Sequence, residues 1–425
     1  MRLLLTTSTF PVKQGDGIPR FILDLALALA SYADVDVLAP DAPERPDDDS
    51  YDRINVHRFS YFWPRWAQRL AITNQRGMRE NVRGSLLAKL QVPLFLMWQA
   101  IAVKRLVRRK KVDVVNAHWL VPQGLTAAWV LRRSPNVRLV LHIHAGDVYF
   151  LQRLSIGPRI ARYVAKRADL IFAAGSHVRD ALDDLLGFPS QAVIQPMGVD
   201  SKEFARGNVS EASTRNVFAD RFEHGFILFI GRLVEKKGVP YLIQAMVEIR
   251  KQRPGVGLVI AGFGPEEPRL KAEVERLGLS DCVCFAGKQN RGEIIDLLHS
   301  CRAVAVPSII DSRGETEGMP TVVVESLAAG VPVVGSAVNG IPDLIRHREN
   351  GWLCREKDSR DLAEKLLTAL DSDCDELIAD AIGTAQSNDW ERVASNYVDH
   401  ISRIGSLQVV EDKSENAQQT FESRA

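Results

Sequence analysis

Short apolar runs alternate with helix-period stretches along most of this chain, and the series starts twice. In the first round the runs are Arg2–Thr7, Asp34–Leu38, Val112–Ala117, Val137–Ile143, Asp169–Ala173 and Ala192–Gln195. In most of them apolar residues fall on consecutive rather than alternate positions, the mark of strands buried on both faces of a parallel sheet. The second round holds Phe226–Ile230, Val256–Ala261, Cys282–Phe285, Ala303–Val306 and Val331–Gly335. Ile18–Ser31, Val239–Arg253 and Glu266–Leu277 carry the helical pattern between strands. The alternation predicts an α/β chain of two successive doubly wound domains, and 425 residues are enough for each to bury its own core.

The boundaries follow from where the pattern lapses. Asp200–His224 is polar and patternless. We place an N-terminal domain at 1–205, a linker at 206–224 and a second domain at 225–385. A final helix, Trp390–Ile404, falls in the segment 386–405, and the tail 406–425 lacks apolar periodicity and reads as disordered. The five cysteines are odd in number and scattered, with no C-x-x-C pair. That predicts reduced thiols in a cytosolic setting and argues against zinc or a disulfide framework. The apolar run after Met1 and Arg2 is too short for a signal peptide and reads as a first buried strand.

The densest chemistry lies in Glu317–Ala329, EGMPTVVVESLAA. Glu317 precedes a helix whose first turn is marked by Pro320, and Glu325 follows a little over one turn inside it. The unpaired N–H groups and positive dipole end of that first turn attract an anion. Carboxylates before and beside an anion site suit a ligand that joins phosphates to hydroxyl groups, such as a nucleotide sugar. Phe229–Gly238, FIGRLVEKKG, leaves the first strand of the second domain, so Arg232 and Lys237 stand at a strand's carboxyl end, where open α/β sheets bind ligands. A forked guanidinium and an ammonium suit a diphosphate, though such a loop can equally be a solvated basic turn.

Gly15-Asp16-Gly17 and Gly262-Phe263-Gly264 each follow a strand. Either pair of glycines lets backbone approach a phosphate or simply allows a tight turn. His142 and His144 share one face of a strand end, but no third metal ligand accompanies them, and the expectation is a packed His142 beside a functional His144. Asp34-Val35-Asp36 and Asp373-Cys374-Asp375 have the D-x-D form without a convincing setting. No metal site is assigned.

Taken together these residues resemble the retaining glycosyltransferases of family 4, which have the GT-B fold of two Rossmann-like domains facing across a cleft. The resemblance rests on the glycine loop Gly15–Ile18, Ala117-His118-Trp119 with Pro122 and Gly124, and the H-x-G-D segment His144–Asp147. It continues through Gln195–Asp200, the G-R-L-x-x-K-K-G loop, E-x7-E followed by A-A-G-V-P-V-V, Gly340–Asp343 and Glu349–Leu353. Gly318-Met319-Pro320 with Gly340-Ile341-Pro342 is most similar to members that build bacterial exopolysaccharides and lipopolysaccharides.

The resemblance implies transfer of a sugar from a UDP- or GDP-linked donor, with no cofactor and no metal. It implies that Arg232 and Lys237 neutralise the diphosphate and Glu325 binds the ribose hydroxyls. Glu317 would face the transferred sugar, with donor contacts from Met319, Pro320, Thr321 and Gly262. His144 would lie near the anomeric carbon, and Gly17 would meet the phosphate. The alternatives are a sugar-nucleotide epimerase of the same architecture and a non-catalytic sugar-nucleotide-binding protein.

Charge is unevenly spread. Between Arg53 and Lys111 there are fourteen Lys or Arg against one acid, Glu80. Trp63, Trp66 and Trp98 are interleaved, and the stretch ends in Arg108, Arg109, Lys110 and Lys111. Such a segment suits an anionic membrane surface or an acceptor, a lipid-linked saccharide or oligosaccharide. A solvated helix face is the plainer reading. Leu86–Val103 is interrupted by Lys89, Gln91, Pro93 and Gln99, which argues against a span. No nucleic-acid recognition module accompanies the charge. The expected location is the cytoplasm, with contact at the inner face of the plasma membrane.

Overall fold

The computed structural model describes residues 1–12, 20–42, 51, 53–71, 78–206, 218, 220–371 and 374–404. Gly15–Ile18 (with Gly17), most of the 206–224 linker, Asp373 and the 406–425 tail lie outside the described residues. The chain divides into two compact units. One comprises Met1–Ala173, Arg179–Gln195 and the chain from Trp390, and the other Ala174–Val178 and Pro196–Asp389.

The first unit is built on a seven-stranded parallel sheet. Its strands are β1 (Arg2–Thr6), β2 (Asp34–Pro40), β3 (Ile54–Phe59), β4 (Val114–His118), β5 (Arg138–Ile143), β6 (Leu170–Ala173) and β7 (Val193–Ile194), in the order β3-β2-β1-β4-β5-β6-β7. Leu3, Leu4 and Leu5 of β1 are all fully buried, as are Leu139, Val140 and Leu141 of β5. Consecutive burial of this kind requires cover on both faces. Among the helices, Phe21–Leu29 follows β1 and the long helix Leu86–Lys110 follows β3. A helix over 390–404 closes the unit, with Tyr397 stacked on Phe172 at 4.1 Å between ring centroids.

The second unit holds six parallel strands: β8 (Phe226–Ile230), β9 (Gly257–Ala261), β10 (Val283–Gly287), β11 (Ala303–Val306), β12 (Val333–Ser336) and β13 (Trp352–Cys354). They run in the order β10-β9-β8-β11-β12-β13. Side chains alternate between two cores: Ile227, Phe229, Leu258 and Ile260 pack into one, Phe226, Leu228, Val259 and Val304 into the other. In each sheet the chain winds outward one way from the first strand and then returns to continue on its other side. The reversal falls between β1 and β4 in one unit and between β8 and β11 in the other. Crevices for ligands open beyond the carboxyl ends of strands at such a reversal.

Two strands lie beyond the sequence expectation. β3, INVHRF, has a mixed burial pattern at one edge of its sheet, and β13 is three residues long at an edge. Neither position demands a two-sided apolar run. The helix Leu86–Lys110 runs unbroken through Pro93. By length and composition it could cross a membrane. One of its faces, with Ala88, Phe95, Ala100 and Val103, is nevertheless buried against the unit.

Candidate active site

The reversal in the second sheet brings the predicted charges together. After β8 the chain turns through Arg232 to Lys237, and after β11 it passes through Pro307 to Glu317. Gly238, at φ +66°, is what lets these loops meet: a Cβ there would lie 1.8 Å from the Pro307 carbonyl oxygen. The Ile309 amide donates to the Lys236 carbonyl at 2.8 Å and ties the two segments. Lys237 Nζ then reaches Glu317 Oε2 at 2.6 Å, and Lys236 Nζ lies 3.6 Å from Oε1. Glu317 is buried, which alone would push its carboxyl up; the two ammonium groups outweigh burial and hold it below the ordinary carboxylate range. The Lys237 side chain folds back over Gly231, next to half-buried Arg232.

Four residues past Glu317 the helix Thr321–Ala328 begins, with Pro320 as its N-cap. Its first amides, Thr321 and Val322, have no partner among the described residues. Three consecutive valines, poor helix formers in isolation, hold this helix because Val322, Val323 and Val324 are buried in the core. Glu325, half-buried, stands one turn along, about 6 Å from Thr321 by helix rise. Met319 lies before the cap against Gly340, where a Cβ would come 3.1 Å from its Cε. So Arg232, Lys237, Glu317, Met319, Pro320, Thr321 and Glu325 all occupy the carboxyl ends of β8 and β11.

Gly262 follows β9 in the same region, and its requirement for glycine has a packing cause. A Cβ there would sit 1.8 Å from the Gly231 carbonyl oxygen, and one on Gly264 2.3 Å from that of Leu233. The Gly231 amide donates to Ala261 and that of Leu233 to Phe263. This pair of glycines therefore shapes the loop that carries Arg232.

The first sheet presents a different cluster at the ends of β4 and β5. The imidazoles of His118, His142 and His144 stack, with His142 and His144 4.8 Å apart at 9°. His118 Nδ1 lies 3.3 Å from His144 Nε2, and His142 Nδ1 bonds the Tyr397 hydroxyl. Parallel rings turn their lone pairs away from a common point, and no group of three His, Cys, Asp or Glu among the described residues is arranged to hold a metal. Burial pushes the His144 imidazole down to about 3, and those of His118 and His142 well below their usual value.

Asp147 fixes the geometry around His144. It accepts from the Leu120 amide at 2.5 Å and from the His144 amide at 3.1 Å. Burial pushes its carboxyl up to about 7 against those backbone donors. Trp119, at φ +73°, is turned so that its ring lies 5.0 Å from His144, with Phe21 at 5.5 Å completing an aromatic wall.

Both units match known families. Residues 15–203 fit the model for Glycosyltransferase Family 4, and residues 213–387 that for Glycosyl transferases group 1. The chain belongs to the glycosyltransferases. Among curated members of this family, an Escherichia coli K12 protein named for colanic acid biosynthesis, WcaL, is 30% identical over 63% of this chain. The match spans 64% of that relative's length. A GDP-mannose-dependent phosphatidylinositol monomannoside mannosyltransferase of Mycobacterium tuberculosis is 26% identical over 59% of this chain and 65% of its own. In structure, the Anabaena protein Alr3699/HepE, solved with UDP, superposes with a TM-score of 0.70 at 20% identity, covering 95% of this chain and 99% of that one. The fold is thus GT-B, as the sequence resemblance implied.

The remaining predicted residues of this glycosyltransferase lie elsewhere in the first unit. Trp63 and Trp66 are exposed in the loop after β3, and Trp98 is exposed on the long helix. Arg108 and Arg109 are exposed in that helix's last turn. Lys110 pairs with Asp36 at 3.4 Å, and His57 bonds the same carboxylate at 2.6 Å. Lys111 ends the helix in the left-handed conformation. Asp36 of the first D-x-D is therefore held by Lys110 and His57 of the protein itself. Sequence reasoning gave no role to Lys236, although the K-K pair signalled it, nor to Asp147, whose H-x-G-D context was visible. The closeness of His118 to His144 had no local signal, because strand pairing creates it.

Proposed function

We propose that this chain is a retaining transferase. It moves a sugar from a UDP- or GDP-linked donor to a lipid-linked saccharide or oligosaccharide for cell-surface polysaccharide, at the cytoplasmic face of the membrane. The observation that carries this reading is the Lys237–Glu317 pair, at 2.6 Å, beside Arg232 and the open helix start at Thr321. When the bond between anomeric carbon and phosphate breaks, its electron pair goes to the diphosphate. Lys237, Arg232 and the Thr321 and Val322 amides meet that charge, and preorganised donors of this kind lower a barrier by several kcal/mol. Two cations and a helix start suffice for a diphosphate, so the reaction proceeds without a divalent ion.

Glu317, held ionised by two ammonium groups, is a weak nucleophile and a good acceptor for sugar hydroxyls. That favours front-face attack by the acceptor oxygen, with its proton passing to the departing phosphate. Glu325 takes the ribose hydroxyls. Neutral His144 suits a hydrogen bond to an uncharged hydroxyl rather than to a diphosphate. The names of the relatives, one for an exopolysaccharide and one for a phosphatidylinositol glycolipid, support an acceptor of this class. The charge balance between Arg53 and Lys111 supports peripheral membrane contact.

A panel of UDP- and GDP-sugars, scored for release of UDP or GDP with membrane extract as acceptor and with chelator present, tests the proposal. Acceptor-dependent release that survives the chelator is expected. Interconversion of the donor sugar without acceptor would instead identify an epimerase, and donor binding without turnover a binding protein.

A further inference from the structure

The long helix Leu86–Lys110 buries two glutamines among its apolar inner residues and leaves a row of large apolar residues outside. Gln91 and Gln99 are fully buried, while Leu86 and Leu90 on the outer face are 76% and 71% exposed. Gln91 has a reason to be inside: its side chain accepts from the Arg69 amide and donates to the Ala67 carbonyl, anchoring the loop after β3. Leu86, Leu90, Met97 and Ile101 have no such reason to be outside. At steps of four, seven and four they form one stripe, about 22 Å long. The same stripe continues into Lys104 and Arg108, both exposed. The helix carries six basic residues and no acidic one. The loop anchored by Gln91 presents Trp63 and Trp66, 85% and 70% exposed.

An exposed apolar stripe of this length needs an occupant. A second copy would bring two wholly basic helices together, whereas anionic lipid satisfies both parts of the stripe. The geometry points to an obliquely seated membrane anchor: Leu86–Ile101 dips into the acyl boundary, and Lys104–Arg108 meets anionic headgroups. Trp63 and Trp66 sit at the interface, where indole rings concentrate. This deepens the proposed transfer to a lipid-linked acceptor by naming the surface that would bring the chain to it.

Co-sedimentation of the full chain with vesicles tests it, comparing phosphatidylglycerol mixed into phosphatidylcholine with phosphatidylcholine alone. Binding should favour the anionic vesicles and weaken with salt. Leu90→Glu with Ile101→Glu should reduce it at least about tenfold at any salt. Lys104→Glu should reduce it about fivefold or more at low salt only. These positions are exposed, so an unchanged unfolding midpoint checks that the variants fold. Wild-type protein that ignores anionic vesicles, or variants that bind as well as wild type, would overturn the proposal. So would a concentration-dependent dimer that the Leu90/Ile101 variant abolishes. Vesicle binding is scored without donor or acceptor, so its failure leaves glycosyl transfer standing, and a failed donor panel leaves the anchor standing.

Discussion

The two sheets share a strand order, yet the ends of their strands carry opposite electrostatics. Beyond β8 and β11 lies a set of charges, with Glu317 ionised between Lys236 and Lys237. Beyond β4 and β5 lie three imidazoles held neutral by depressed pKa values and Asp147, whose carboxyl is pushed up to about 7. Burial acts on both sets. In the second unit a partner of opposite charge lies within hydrogen-bond reach and wins; in the first, no opposite charge answers the desolvation. Topology therefore sets where a site forms, and the presence or absence of counter-charge decides what it can hold. Charges of the kind beyond β8 and β11 suit an anionic ligand, and groups of the kind beyond β4 and β5 an uncharged one.

The largest expected effect comes from removing the cation that makes the difference. Lys237→Ala should lower kcat/KM by about a thousandfold if it meets the leaving group, measured as UDP or GDP release. It also leaves Glu317 buried with only the more distant Lys236. That should cost about 3 kcal/mol of stability near neutral pH. The sign of its pH dependence is set by Glu317. In the wild type the depressed carboxyl adds stability above its unfolded pKa, and this is lost as pH falls through the folded value. In the variant the carboxyl pKa rises, so the stability gap between variant and wild type should narrow on acidification. Denaturant melts at pH 7 and pH 5 read this directly. A gap that widens at pH 5 would mean that Lys237 does not govern Glu317.

Next comes the carboxylate of the neutral cluster. Asp147→Ala leaves the Leu120 and His144 amides without their acceptor and should cost about 3 kcal/mol. Asp147→Asn keeps one acceptor and should cost less. Because Asp147 holds its proton up to about 7 in the fold but only to about 3.9 when unfolded, wild-type stability declines as pH rises between those values. Asparagine cannot titrate, so the cost of Asp147→Asn should shrink from pH 4 to pH 7. Glu325→Ala is expected to reduce kcat/KM by about thirtyfold, roughly the worth of a hydrogen bond to a charged group. The rise should appear mainly in donor KM, and an effect confined to acceptor KM would move Glu325 out of the donor site.

This contrast was only half legible in the sequence. The charged site could be read because its parts lie in two contiguous stretches, Phe229–Gly238 and Glu317–Ala329, each following a recognisable buried strand. The parallel order then brings those stretches together without further information. The neutral cluster was not legible in the same way. His118, His142 and Tyr397 come from three separate segments, and their contact depends on strand register and on the docking of the last helix. Gly262 shows another case: its pattern allowed either a phosphate contact or a tight turn, and the loops show a close approach that alone would demand glycine. The outward leucines of the long helix had no signal in the sequence because period alone does not say which face of a helix turns inward; Gln91 is drawn in by backbone groups of Arg69 and Ala67 that no window on the helix contains.

The smallest expected effect is the sharpest test of neutrality. With its pKa pushed down to about 3, His144 should show no titration between pH 8 and pH 5 when its ring carbons are followed by NMR. An ordinary histidine changes charge near pH 6.5 in that range. Burial is the cause, and Trp119, 5.0 Å away, supplies part of the cover. Trp119→Ala should therefore admit water and return the His144 titration toward pH 6.5, while Lys237→Ala should leave it untouched. A wild-type inflection near 6.5 would place a cation in the first unit as well, and the division between a charged and a neutral strand end would fail.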